Sequence, residues 1–216
     1  MAWVLTMAAP GKWRTVMAGE DREAQVSAAV DEVFERADRD SAAVQKHWMR
    51  QRLDRALDGA EDAGGSVVSV AFPTAPVAGV VLPVTATVLA LEVESDSMES
   101  AMKALAAVAA ADPTAKPMST PAGLVLRTHR TTDVKQAFDA EVAEAPVSPA
   151  ERDAIGAASS SMPMLRARYI VPAAGEKQWH AVAFSATLGT EEPGLVETFL
   201  ELFDAFAETL DWRQDQ

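Results

Sequence analysis

The chain has 216 residues, a formal charge of -13 and no cysteine, and nearly half of it is apolar. That length suits one large domain or two small ones with a substantial core. The missing thiols exclude disulfides, thiolate zinc sites and cysteine nucleophiles, and the acidity argues against nucleic acid, whose phosphates are gripped by lysine and arginine.

Met1 to Lys12 lacks a basic segment followed by a long apolar one, and no apolar run approaches the roughly twenty residues that span a bilayer. A cytoplasmic protein with no transmembrane segment is therefore expected. Trp13 to Ala18 reads as a short first strand after the Pro10-Gly11 turn signal. Val26, Val30, Val33, Phe34 and Ala37 recur at intervals of three and four, which predicts a helix over Asp21 to Ala37. Asp40 or Ser41 can cap a second helix that carries Val44, Trp48, Ala56, Leu57 and Ala60 inward, runs to Ala63 and stops at Gly64-Gly65. Two helices joined by a short loop suggest a helical hairpin.

Beyond Gly65 the pattern becomes β-like. Val67 to Phe72 is a strand that Pro73 and Pro76 confine to an edge or an early stop, since proline donates no ladder hydrogen bond. Val84 to Glu94 is the central-strand candidate: its run Val88, Leu89, Ala90, Leu91 fits a strand buried on both faces, so helices should cover both sides of the sheet. Asp96 with Glu99 has the form of a capping box for a helix that ends near Asp112-Pro113. Gly123 to Arg130 is a further strand. Thr131 to Pro163 is expected to be a surface excursion, partly helical from Ser148-Pro149 onward. Leu165 to Pro172 and Trp179 to Leu188 form a hairpin covered by an amphipathic helix, Leu195 to Trp212. From Glu191 onward eight carboxylates stand against the single cation Arg213; they read as a solvated helix face or as a docking surface for a basic partner. No internal repeat and no long linker emerges, so residues 1–216 are expected to form a single α+β domain, with a mostly antiparallel sheet of five to six strands.

Catalytic and metal-binding signatures are missing. His47, His129 and His180 occupy three separate elements, none with a second ligand at metal-binding spacing, and no serine elbow, Walker loop or dinucleotide fingerprint occurs. No catalytic residue, cofactor or metal is assigned. One constellation stands out. Arg166 and Arg168 share a face of their strand, opposite Leu165, Ala167, Tyr169 and Val171, while Arg127 and His129 share a face of theirs. These four form a candidate anion-binding or partner-binding patch; alternatively, they pair with acids on a covering helix or face water. Trp3 and Trp13, flanking the early turn, are either exposed anchors for a partner or core aromatics that close one end of the sheet.

Arg168-Tyr169-Ile170-Val171-Pro172, Gly175, Ala183-Phe184-Ser185, Leu202-Phe203-Asp204 and Thr209-Leu210-Asp211-Trp212 together resemble the ending of a group of uncharacterised actinobacterial proteins. These are similar to the Mog1/PsbP-like fold. The resemblance is specific over Arg166 to Trp212, with weaker echoes in Trp13, the paired early helices and the strand near Val84. It implies an antiparallel sheet sandwiched between helices, and a role in binding or assembly, some relatives being lipoproteins or lying near secretion genes. No functional residues carry over, and this chain has no lipobox cysteine.

The expectation is a non-enzymatic protein-binding or accessory module linked to a specialised secretion or membrane-associated system. Its alternatives are a small hydrolase or ligand-binding enzyme with a cleft of arginines, histidines and acids, and a self-associating structural protein, a homo-oligomer.

Overall fold

The computed structural model describes residues 3–9, 11–35, 39–58, 65–75, 83–93, 97–144, 148–150, 161–173, 178–188 and 194–214. The elements are β1 (Trp3–Thr6), β2 (Trp13–Met17), α1 (Arg22–Val33), α2 (Arg39–Asp58), β3 (Gly65–Pro73), β4 (Val84–Leu91), α3 (Met98–Ala111), β5 (Lys116–Thr120), β6 (Gly123–Asp133), α4 (Lys135–Glu144), β7 (Pro163–Val171), β8 (His180–Thr187), α5 (Leu195–Ala207) and β9 (Asp211–Gln214). The fold is α+β. Among the described residues seven strands form one antiparallel sheet in the order β2-β3-β4-β8-β7-β6-β5, and β1 pairs with β9 in a separate ribbon. That main sheet thus has one strand beyond the five to six expected: β5, Lys116-Pro117-Met118-Ser119-Thr120, has too little apolar content to announce itself, and so has β9, Asp211-Trp212-Arg213-Gln214, in the ribbon.

Alternation along the strands divides the core between two faces. On one face Val84, Ala86, Tyr169, Val171, Val182 and Phe184 meet Phe203 and Phe206 of α5. Aromatic rings dominate there: Phe184 stacks on Phe203 at 4.8 Å, Tyr169 meets Phe184 edge-on at 5.6 Å, and Trp13 meets Phe206 edge-on at 5.7 Å. Trp13 thus packs, partly buried, against the core. On the other face Val70, Phe72, Leu89, Leu91, Leu126 and Ile170 pack with Val26 and Val30 of α1, Leu53 and Leu57 of α2, and Ala101 and Leu105 of α3. Residues of α5 thus join the first cluster and residues of α1, α2 and α3 the second, while Val88 and Ala90 in the apolar run of β4 are only half-buried.

Several boundaries differ from expectation for local reasons. The terminal helix stops at Ala207 rather than Trp212. The Thr209 hydroxyl donates to the Phe206 carbonyl at 2.7 Å and accepts from the Ala8 amide at 2.9 Å, which ends the helix and delivers Asp211–Gln214 to β1. Ser97, not Asp96, caps α3: its hydroxyl accepts from the Ser100 amide, while Glu99 pairs with Lys103 one turn on. Asp96 itself lies outside the described residues. Asp40 and Ser41 fall inside α2 rather than ahead of it, because the helix already begins at Arg39. The helices expected to reach Ala37 and Ala63 are described to Val33 and Asp58, with 36–38 and 59–64 outside the described residues. β3 does stop at Pro73, but it lies inside the sheet between β2 and β4.

The supposed surface excursion at 131–163 begins and ends as sheet. Thr131, Thr132 and Asp133 continue β6 and pair with Leu165, Met164 and Pro163. The Asp133 carboxylate then accepts from the amides of Lys135 and Met162, at 2.8 and 3.0 Å, which closes the base of this connection. Val142 on α4 is buried. The Ser148-Pro149 helix start is described only to residue 150, and 151–160 lie outside the described residues. The edge strand β2 is shielded too, since the Gln25 side chain accepts from the Met17 amide at 2.9 Å; strand edges left bare invite pairing.

Gly65 is required where β3 meets β4, because a methyl group there would collide with the Ala90 carbonyl oxygen. The aromatic face is the larger energetic feature. Phe203→Ala is expected to cost about 3–5 kcal/mol, the usual range for emptying a buried phenylalanine site, whereas Glu201→Ala on the exposed side of α5 should change stability by less than about 0.5 kcal/mol. Urea unfolding of both variants checks this, and equal effects would mean that α5 does not close the core.

Candidate functional site

The register of β6 on β7 separates the four residues of the expected patch. Arg127 stands opposite Tyr169 and His129 opposite Ala167, so both lie on the α5 side. Thr128 stands opposite Arg168 and Arg130 opposite Arg166, on the other face. A single site made of Arg127, His129, Arg166 and Arg168 therefore does not exist. Side-chain parity on each strand was readable from sequence, but the pairing that decides which parities coincide was not.

On the α5 side the anion is the protein's own. Asp204 of α5 accepts from Tyr169 Oη at 2.7 Å, from Arg127 Nη1 at 2.7 Å and from Lys116 Nζ at 3.0 Å. The Asp204 and Arg127 side chains are only 13% and 11% exposed. Burial pushes the Asp204 carboxyl up, but hydrogen bonds from Tyr169, Lys116 and Arg127, with the charge of Arg127, outweigh it and hold the carboxyl below its ordinary value. The same burial, reinforced by Asp204, raises the Tyr169 phenol far enough to keep it a neutral donor. His129 sits two residues beyond Arg127, its backbone amide donating to the Thr114 hydroxyl at 3.0 Å. Arg127 is thus engaged by an acid on a covering helix, as the alternative reading had it.

On the opposite face one cross-strand row runs Thr85, Ser185, Arg166, Arg130 over β4, β8, β7 and β6. The next row runs Thr87, Ala183, Arg168, Thr128. Arg166 and Arg130 are exposed, directly opposed, and in no ion pair among the described residues. Like charges opposed across a ladder destabilise it. Arg168 is more enclosed, and burial pushes its pKa down, although a guanidinium remains cationic at neutral pH.

Beside this row lies a cleft of about 400 Å³ between α2 and the sheet. Met49, Leu53 and Ala56 of α2 form its roof with Arg52 at the rim; Val70 and Phe72 line one wall; Thr85, Ser185, Thr187 and Met164 lie along the floor. None of the described lining residues is an acid or a histidine, so the hydrolase alternative finds no acid/base pair in this cleft. No group of three His, Asp or Glu among the described residues could hold a metal ion. What the face offers is guanidinium forks that match carboxylate or phosphate oxygens, beside an apolar slot. Arg130 and the three floor hydroxyls were missed. The alternation of Ser185 and Thr187 with Phe184 and Ala186 signalled a polar sheet face, but not what lay across from it.

Buried Asp204 and His180 make stability depend on acidity. For His180, burial lowers the imidazole pKa more than its hydrogen bond to the Gln178 carbonyl raises it. Both groups have depressed values when folded, so each contributes stability that is complete above its unfolded pKa and is lost as pH falls. Urea midpoints measured from pH 8 to pH 3 should fall in two stages, below about 6.5 and below about 4. Asp204→Asn should shrink the lower stage, which Asp204 shares with the depressed carboxyls of Asp31, Glu32, Asp58, Asp112 and Asp133, and leave the upper one in place, at a cost of about 3 kcal/mol at neutral pH. An unchanged acid profile in that variant would contradict the buried network.

Against family models, curated proteins and solved structures the chain finds no match, so the role of this face is argued from its own residues.

Proposed function

We propose that the chain is a non-enzymatic accessory module that binds a protein partner through the arginine-bearing face of its sheet, in the cytoplasm, in service of a secretion or membrane-associated system. The observation that carries this reading is the opposed pair Arg130 and Arg166, exposed and without an acid among the described residues. Folding does not require two cations at facing positions, and their repulsion is relieved when a carboxylate bridges them. Apolar walls next to them give such a partner something to bury. The Mog1/PsbP-like arrangement belongs to the same proposal, and what supports it is an antiparallel sheet with helix-borne core residues on each face. The helices of the described residues include none long and apolar enough to cross a membrane.

Immobilised protein, offered apolar-rich peptides that carry carboxylates and matched peptides with every carboxylate replaced by amide, tests the reading. The carboxylate set should be retained, and the double variant Arg130→Met, Arg166→Met should weaken retention at least tenfold. That variant should be as stable as the parent or slightly more so. No retention by the parent, or equal retention of both sets, would end the proposal.

A further inference from the structure

Resting on that reading, we infer that the cleft beside Arg166 receives the carboxy-terminal end of a partner polypeptide: its terminal carboxylate on Arg166 and Arg130, its last apolar side chains between α2 and the sheet.

Charge limits the ligand first. The protein carries -13 overall, so a run of acidic residues is repelled by the surrounding surface, whereas one carboxylate meets that repulsion once. Arg166 and Arg130 lie on adjacent strands, about 5 Å apart in the pairing direction. Two side chains this long, leaving the same face from strands so spaced, can both donate to the oxygens of one carboxylate.

The floor limits it next. Thr85, Ser185 and Thr187 face the cleft, and their hydroxyls make no hydrogen bond among the described residues. A bare hydrocarbon chain laid over them would strip their water and return no hydrogen bond in exchange. Peptide amides and carbonyls would pair with them instead. Ser185 stands directly opposite Arg166, so the hydroxyls begin where the carboxylate would sit, in the order of a terminal residue followed by its peptide groups.

The walls supply the remaining element. Leu53 and Phe72 are buried residues whose edges line the slot, and Met49 and Ala56 extend it outward. A volume of about 400 Å³ lies in the range of pockets that enclose a small ligand or a few side chains. A chain end with apolar final residues unites one carboxylate, adjacent amides and an apolar body; a free alkanoate lacks the amides, and an internal acidic residue carries its carboxylate on a side chain, away from the main-chain groups.

Fluorescence polarisation with a labelled peptide ending in Ala-Leu-Leu separates the cases. The free-acid peptide should bind; its C-terminal amide should bind at least tenfold more weakly; an amidated twin with an internal glutamate should not recover the loss. Ala56→Trp, at an exposed position on α2, should block the slot and weaken the free-acid peptide at least tenfold, with the thermal midpoint reporting that the variant folds. Dodecanoate should compete poorly. Equal binding of acid and amide, recovery by the internal glutamate, or tighter binding of dodecanoate than of the peptide would each overturn the inference. Recovery by the internal glutamate would do so while leaving the carboxylate-binding module standing, whereas loss of all binding would remove both.

Discussion

Phe203 lies against Phe184 with ring centroids 4.8 Å apart and planes within 12° of parallel, and this contact determines what the other side of the sheet can present. Phe184 and Tyr169 must face α5 for their rings to be buried, since both are fully enclosed. Side chains alternate along a strand, so Ser185 and Thr187 on β8 and Arg166 and Arg168 on β7 are driven to the opposite face. Placing arginine on an inner strand is costly where both faces are covered. It is tolerable here because the part of the second face at Arg166 and Arg130 remains exposed, while α1, α2 and α3 bury their apolar residues over β2, β3, β4 and the neighbouring ends of β6, β7 and β8. The aromatic core on one side and the cationic row on the other are thus two outcomes of one alternation.

Asp204 works with that packing. A carboxylate on the inner side of a helix is expensive unless donors replace its water, and here three donors from three different strands do so, Lys116 on β5, Arg127 on β6 and Tyr169 on β7. Aromatic contacts hold α5 down but are tolerant of sliding; directional hydrogen bonds from three strands are not. Asp204 therefore sets where along the sheet the helix sits, and in doing so engages Arg127. This is why Arg127, although chemically equivalent to Arg166, is not open to an outside anion.

Much of this was legible because apolar residues declare their periodicity. The amphipathic stripe of α5, the continuous run of β4 and the alternation of β7 and β8 all follow from residues that must leave water. What stayed hidden depends on pairing between distant segments. Nothing local in Arg127-Thr128-His129-Arg130 tells which of its residues will oppose Arg166, and a shift of one residue would have reversed the outcome. The ribbon of β1 and β9 was hidden for a related reason: Asp211-Trp212-Arg213-Gln214 has a single apolar residue, and becomes a strand only because Thr209 ends α5 and Trp3–Thr6 lies alongside to pair with it. The capping shift from Asp96 to Ser97 is smaller in scale, since adjacent residues with similar side chains compete for the same unpaired amides.

The overall acidity and the arginine row act over different distances, and for that reason do not cancel. Charges separated by more than about 8 Å are largely screened at physiological ionic strength, so most of the carboxylates are weakly felt at Arg166, where the nearest charge opposite it is another guanidinium. A strongly acidic partner brings many carboxylates within that distance of the protein's own and is repelled on approach, whereas in the proposed complex a single carboxylate meets two cations next to a surface of low polarity, where each charge-assisted hydrogen bond is stronger than it is in bulk water. On the proposed reading such a surface would select against polyanions while keeping affinity for an isolated carboxylate. In the proposed complex the same −13 sharpens, rather than opposes, recognition of one negative charge at this face.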